Sequence, residues 1–145
     1  MRLASLLVLL SSAAQASIAL EGSTDSLEVL TAGSSVSIDY SCTWANVTAT
    51  ALTTPGTSTG NIASATTTTI IAAPAASNWR YVRVCNFENV GSAAVTVTLQ
   101  IDRSASNRVL FSNSLSPGEH LSLDADGDAH LYVASGAEKS DNASA

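Results

Sequence analysis

Apolar and polar residues alternate along most of the chain after residue 20, and this alternation restricts its fold more than any other feature. The clearest run is 95–101, VTVTLQI, and the run 36–44 alternates in the same way. Successive side chains of a β-strand point to opposite faces, so such runs predict strands with one buried face. No amphipathic helix pattern follows residue 20.

The pattern predicts about eight strands separated by turn residues. The other predicted strands are short and cover residues 27–30, 66–71, 80–87, 109–111, 121–123 and 131–133. Many short strands with frequent turns favour an all-β fold, an antiparallel β-sandwich or a jelly-roll-like arrangement. A chain of 145 residues suits one domain, which we place at residues 17–136. The small, polar residues 137–145 predict a disordered tail.

Three finer predictions follow from the same pattern. The apolar phase changes between Val82 and Cys85, which requires a β-bulge or a local irregularity. Residues 46–61 are rich in Thr, Pro and Gly and predict a loop or a weak edge strand, while Thr66–Thr69 is expected at an edge or an interface. The core is expected to contain Val82, Val95, Val97, Leu99, Phe111 and Leu121.

The charge of the chain argues against a nucleic-acid partner. Its formal net charge is −6, and Lys139 is its only lysine. Arg80 and Arg83 form the only close pair of cationic residues. Binding to a nucleic-acid backbone needs clustered cations that displace counterions, so direct binding is not expected.

The first sixteen residues differ from the rest of the chain. A positive start at Arg2 is followed by the apolar run 3–10 and by the small residues Ala14 and Ala16. This order matches a secretory signal peptide cleaved before Ser17, and a wrongly assigned start codon would produce a similar leader. The apolar run is too short for a bilayer of roughly 30 Å, so no permanent membrane span is expected.

Cys42 and Cys85 are the only cysteines, and both lie in predicted strands. In an oxidising compartment they could form a disulfide that contributes roughly 3–4 kcal/mol to the free energy of unfolding. Alternatively, each is a small buried apolar residue. Their spacing does not resemble a zinc site.

Asp124, Asp126 and Asp128 alternate near the C-terminal end of the domain and are weak candidates for calcium ligands. Gly127 is misplaced for an EF-hand loop, and no bidentate glutamate follows. The alternative is a solvated hairpin turn, in which Asp and Gly are used for their backbone conformations. We expect the turn, and no cofactor or metal.

No sequence motif indicates an enzyme. The chain has two histidines and many serines but no Gly-x-Ser-x-Gly elbow, so no catalytic residue is assigned. Trp79 and Tyr81 are candidates for an exposed aromatic binding surface. Aromatic residues at the start of a strand also commonly cap a sandwich core, which is the alternative.

Several segments together resemble small structural proteins of tailed phages and prophages. They are 18–20, 24–29, 35–40, the TTTTIIAAPA run at 66–75, a strand that ends at Asn89, the strand at 95–97 and the turn at 115–119. The resemblance covers residues 18–136 and implies a non-catalytic virion component: a capsid decoration protein, a head-fibre subunit or an accessory tail protein.

The resemblance further implies that the chain packs against other capsid or tail proteins and forms a homo-oligomer such as a trimer. The leader at residues 1–16 allows a second hypothesis. If it is a true signal peptide, the chain is a secreted or periplasmic binding module, for example for carbohydrate, that uses Trp79 and Tyr81.

Overall fold

The computed structural model describes residues 18–48, 51, 55–104 and 106–139. Within these residues it contains ten β-strands and no helix. The strands are β1 (Ala19–Leu20), β2 (Asp25–Ala32), β3 (Ile38–Val47), β4 (Gly56–Ile62), β5 (Thr67–Ile71), β6 (Trp79–Asn89), β7 (Val95–Arg103), β8 (Ser106–Leu115), β9 (His120–Leu123) and β10 (Ala129–Tyr132). The leader predicted at residues 1–16 lies outside the described residues.

The strands form two antiparallel sheets, so the predicted β-sandwich is confirmed. The order in the six-stranded sheet is β10-β9-β6-β3-β4, with the short β1 paired to β6 in addition. The order in the four-stranded sheet is β5-β2-β7-β8. The pattern missed β1, which has only two residues, and left β4 undecided, because only Ile62 of β4 is buried.

The chain changes sheet between most successive strands. Only β3–β4, β7–β8 and β9–β10 are joined as sequential hairpins within one sheet. The longest-range pairings are β2 with β7 and β1 with β6, and the pairing of β3 with β6 is nested in the chain inside that of β2 with β7. Antiparallel pairs of this kind place strands that are distant in sequence side by side, and the functional candidates below are brought together in this way.

The space between the sheets is filled by aliphatic side chains and Phe87. Five of the six predicted core residues are buried: Val82, Val95, Val97, Leu99 and Leu121. Phe111 is only partly buried and packs against the core from its margin, so the prediction that it belongs to the buried core is wrong. It lies on β8, the edge strand of the four-stranded sheet, and the register with β7 shifts beside it.

The β-bulge predicted between Val82 and Cys85 is confirmed. Thr43 lies opposite Val84 while Trp44 lies opposite Val82, so Arg83 has no opposite residue on β3. The extra residue resets the alternation. Val82 and Cys85 are both buried as a result, whereas Arg83 and Val84 are exposed.

Two glycines let β4 lie against the large side chains of β3. Gly56 lies opposite Trp44, and Gly60 lies opposite Tyr40. A Cβ atom at either glycine would collide with the facing ring. Residues 56–61 of the region 46–61 belong to β4, an edge strand, which is one of the two alternatives expected, whereas residues 46 and 47 end the inner strand β3.

The edge position predicted for the threonine run is also confirmed, because β5 is an outer strand of the four-stranded sheet. The predicted tail is wrong at residues 137–139. These residues return to β10, where Glu138 forms an isolated bridge with Tyr132. The remainder of that tail, 140–145, lies outside the described residues.

Candidate interaction surfaces

Trp79 and Tyr81 lie on the outward face of β6 and do not cap the core. The Trp79 side chain is 51% exposed, and Tyr81 is half-buried opposite Ala45 of β3 and Ala19 of β1. Trp79 also borders a depression lined by Val47, Thr48 and Ser77. Of these two side chains, only the Trp79 indole therefore offers a large aromatic surface to a ligand.

Arg80 makes contacts with Trp44 and Asn46 that the sequence pattern did not indicate. Its guanidinium carbon lies 5.1 Å from the centroid of the Trp44 ring, a cation–π distance. Its Nε donates to Asn46 Oδ1 at 2.7 Å, and Nη1 donates to the Ala72 carbonyl at 2.6 Å. Burial lowers the pKa of Arg80, but a guanidinium remains cationic. Its charge is thus used in contacts within the chain.

Cys42 and Cys85 face each other across β3 and β6 and are joined by a disulfide. Their Cα atoms are 4.1 Å apart, and both residues are fully buried between the sheets. No free cysteine occurs among the residues that the structure describes. The pair therefore crosslinks the centre of the six-stranded sheet and offers no exposed thiol.

Asp124, Asp126 and Asp128 lie in the turn between β9 and β10. Asp124 Oδ1 accepts hydrogen bonds from the backbone amides of Asp126 and Asp128, each at 3.0 Å. These bonds, that of Asp128 foremost, lower the pKa of Asp124. Gly127 adopts a φ of 89°, which favours glycine. The geometry is that of a turn held by its first carboxylate.

The same turn borders a cleft of about 450 Å³ at one end of the sandwich. Asp126 and Asp128 line it together with Arg103 and Arg108 of the β7–β8 hairpin. Glu21 also lines the cleft, so three carboxylates and two guanidinium groups give it mixed charge. Among the described residues, no group of three or more His, Cys, Asp or Glu side chains is arranged to hold a metal ion.

The two histidines lie on either side of Tyr132 on the outward face of the six-stranded sheet. The His120 ring stacks on the Tyr132 ring with centroids 4.7 Å apart. His130 lies 2.7 Å from Glu138 and 3.5 Å from Asp124. In the described part of the chain, neither histidine is hydrogen-bonded to a serine. The structure therefore does not assemble the Ser–His–Asp arrangement that the composition would allow.

Three outer strands of the described part of the chain, β4, β5 and β8, present an uncovered backbone edge. β4 pairs only with β3, and β8 pairs only with β7 among the strands that the structure describes. The seven residues of β4 and the ten of β8 contain no lysine, proline or acidic residue, and Arg108 is their single charge. Val109 on β8 is 55% exposed. The pattern offered an edge strand as one alternative for residues 46–61, but it did not identify the edge position of β8, because edge position depends on which strands pair.

No helix in the described residues has the length and hydropathy needed to cross a membrane. Comparison of the chain with protein-family models, with curated proteins and with solved structures gave no match.

Proposed function

We propose that this protein is a non-catalytic structural subunit of a phage virion that acts by packing its sheet edges against neighbouring proteins. It would serve as a capsid decoration protein, a head-fibre subunit or an accessory tail protein. Its neighbours would be other capsid or tail proteins and further copies of the chain, in a homo-oligomer such as a trimer. The uncovered edges of β4 and β8 are the observation that carries this proposal.

An exposed strand edge is a template for pairing with another chain. Soluble monomers commonly protect such edges with lysine, proline or inward-pointing charges. β4 and β8 lack these features apart from Arg108 and the register shift opposite Leu99 and Gln100. A permanent neighbour would cover these edges and satisfy their backbone groups, so their composition supports assembly.

The assignment to a virion rests on the sequence resemblance of residues 18–136. The open edges of β4 and β8 support the packing part of the proposal.

The direct test is peptide mass spectrometry across a density gradient of particles from the source culture. We expect peptides of this chain to migrate with capsid proteins, and the first peptide to begin near Ile18. Peptides found only in soluble or envelope fractions, beginning at Ser17, would contradict a virion role and indicate an exported domain.

A matched pair of variants tests the β8 edge itself. Val109→Lys places a charge on the exposed edge, and Val90→Lys places the same charge at a 48% exposed valine in the β6–β7 loop. We expect Val109→Lys alone to reduce incorporation into particles, while both variants melt as the parent does. Equal incorporation of the two variants would exclude β8 as the packing edge.

The half-exposed indole of Trp79 and the Cys42–Cys85 disulfide support a second candidate function. In an exported protein, Trp79 would stack on a sugar ring, and the disulfide would stabilise the domain. Binding to a panel of soluble polysaccharides, measured for the parent and for Trp79→Ala, tests this. Binding that Trp79→Ala abolishes supports it, and no binding by the parent excludes those polysaccharides as ligands.

A further inference from the structure

The outer edge of β10 is covered by the chain itself. After β10, a tight turn at 133–136 brings the segment 137–139 back along the strand. Gly136 adopts a φ of 85° in this turn, and its amide donates to the Val133 carbonyl at 2.8 Å. The Val133 amide donates to Ala137, and the Lys139 amide donates to Leu131, at 2.9 and 2.7 Å. We call residues 137–139 the strap.

Two ion pairs attach the strap to the sheet through side chains. Glu138 contacts His130 on β10 at 2.7 Å. Lys139 contacts Glu119, a buried carboxylate in the turn before β9. Of the two contacts, only that of Glu138 with His130 contains an imidazole, the side chain whose charge changes near neutral pH.

The surroundings of His130 favour its protonated form. Glu138 faces it from the strap, and Asp124 faces it from the β9–β10 turn. Tyr132 lies two residues along the same strand, at a centroid distance of 6.5 Å. The residue opposite His130 on β9 is Ser122, which carries no charge. The pKa of His130 is raised, chiefly by the hydrogen bond with Glu138.

We propose that the strap is a pH-sensitive cover of the β10 edge, held more tightly when His130 is protonated and loosened when His130 is neutral. A raised pKa in the folded state means that the stabilisation is complete below the unfolded pKa of histidine. It is lost as pH rises through the folded pKa. Loosening would leave a further sheet edge open in addition to those of β4, β5 and β8.

Amide hydrogen exchange measured by NMR tests the proposal on the full chain. The amides of Val133 and Lys139 report closure, because each is bonded between strap and strand. We expect their protection factors, corrected for intrinsic exchange, to be about two- to fivefold higher at pH 5.5 than at pH 8, as for an exposed ion pair. The amide of Leu99 in β7 serves as the reference for global opening.

Three variants test whether the contact between His130 and Glu138 causes the pH dependence of amide protection. His130→Gln removes the imidazole of the pair, and Glu138→Gln removes its carboxylate. Both variants should abolish the pH dependence. His120→Gln removes the other histidine, which stacks on Tyr132 and makes no ion pair with the strap, and it should retain the dependence. Equal protection at both pH values in the parent would overturn the proposal. Loss of the dependence in His120→Gln, or its persistence in His130→Gln, would also overturn it.

Discussion

The side chain of Asn89 is hydrogen-bonded to the backbone of Leu115, which joins the six-stranded sheet to the four-stranded sheet. Asn89 Nδ2 donates to the Leu115 carbonyl at 2.8 Å and to the Ala93 carbonyl at 2.8 Å, while Oδ1 accepts from the Gly91 amide at 3.0 Å. The residue is fully buried. One side chain therefore satisfies three backbone groups at this end of the sandwich.

We expect Asn89→Ala to lower the free energy of unfolding by roughly 2–4 kcal/mol, because it leaves buried backbone groups without partners. Urea unfolding of the variant and the parent measures the change. Asn86→Ala is the control, since Asn86 is exposed on the same strand, and it should change stability by less than about 0.5 kcal/mol. Similar losses in the two variants would show that the network around Asn89 contributes little.

Leu99→Ala should lower the free energy of unfolding by about 2–5 kcal/mol, because the removed atoms leave a cavity at the centre of the core. Leu99 is fully buried on β7 and lies opposite Val29 of β2. Thr96→Ala, at an exposed position on the same strand, is the matched control. If the thermal midpoint of Leu99→Ala equals that of the parent, the core is not where the structure places it.

The Cys42–Cys85 disulfide should leave no titratable thiol in protein denatured without reductant, and two thiols after reduction. The bond spans 43 residues, and the chain-entropy relation gives it a stabilisation of roughly 3–4 kcal/mol. Thermal unfolding with and without reductant checks that magnitude, and a Cys42→Ala, Cys85→Ala double variant controls for effects of the reductant. Two thiols titrated before reduction would mean that the bond does not form in the source compartment.

Glu119 should make stability depend on pH in the acid range. The hydrogen bond from Lys139 is the main cause that lowers its pKa from the ordinary value of 4.5. Its contribution is thus present above that value and is lost as pH falls through the folded pKa. We expect Glu119→Gln to lower the free energy of unfolding at pH 7 by about 1–3 kcal/mol.

The difference between Glu119→Gln and the parent should disappear in acid, once the parent carboxylate is protonated. Urea unfolding at pH 7 and below the folded pKa measures both values. Glu21→Gln, at an exposed glutamate, is the control and should show neither effect. A deficit of the same size in acid would mean that Glu119 acts through its shape and not through its charge.

The strand pattern predicted the sandwich well where one face is buried along a whole strand. Val95, Val97 and Leu99 alternate strictly, and the structure buries all three. The bulge at Arg83 was also predictable, because a change of apolar phase has few other solutions. The pattern failed at the edges: β4 buries little, and Phe111 is partly open because β8 has a neighbour on one side only.

The residues 137–139 show why the candidate surfaces were harder to predict. Small, polar residues after a glycine resemble a tail, and nothing local indicates that they pair with β10. Their order comes from Leu131, Val133, His130 and Glu119, which the fold places beside them. The same holds for Arg80, whose partners lie on β3 and after β5.

The sequence by itself determined most of the strands, which of their faces is buried and where one strand bulges. These properties follow from the period of apolar residues along a single stretch of chain. Only the tertiary structure decided that Cys42 meets Cys85, that Asn89 joins the sheets, that β8 is an open edge and that His130 contacts the strap. Each of these depends on which strands become neighbours, and a period of two specifies a face but not the strand beside it.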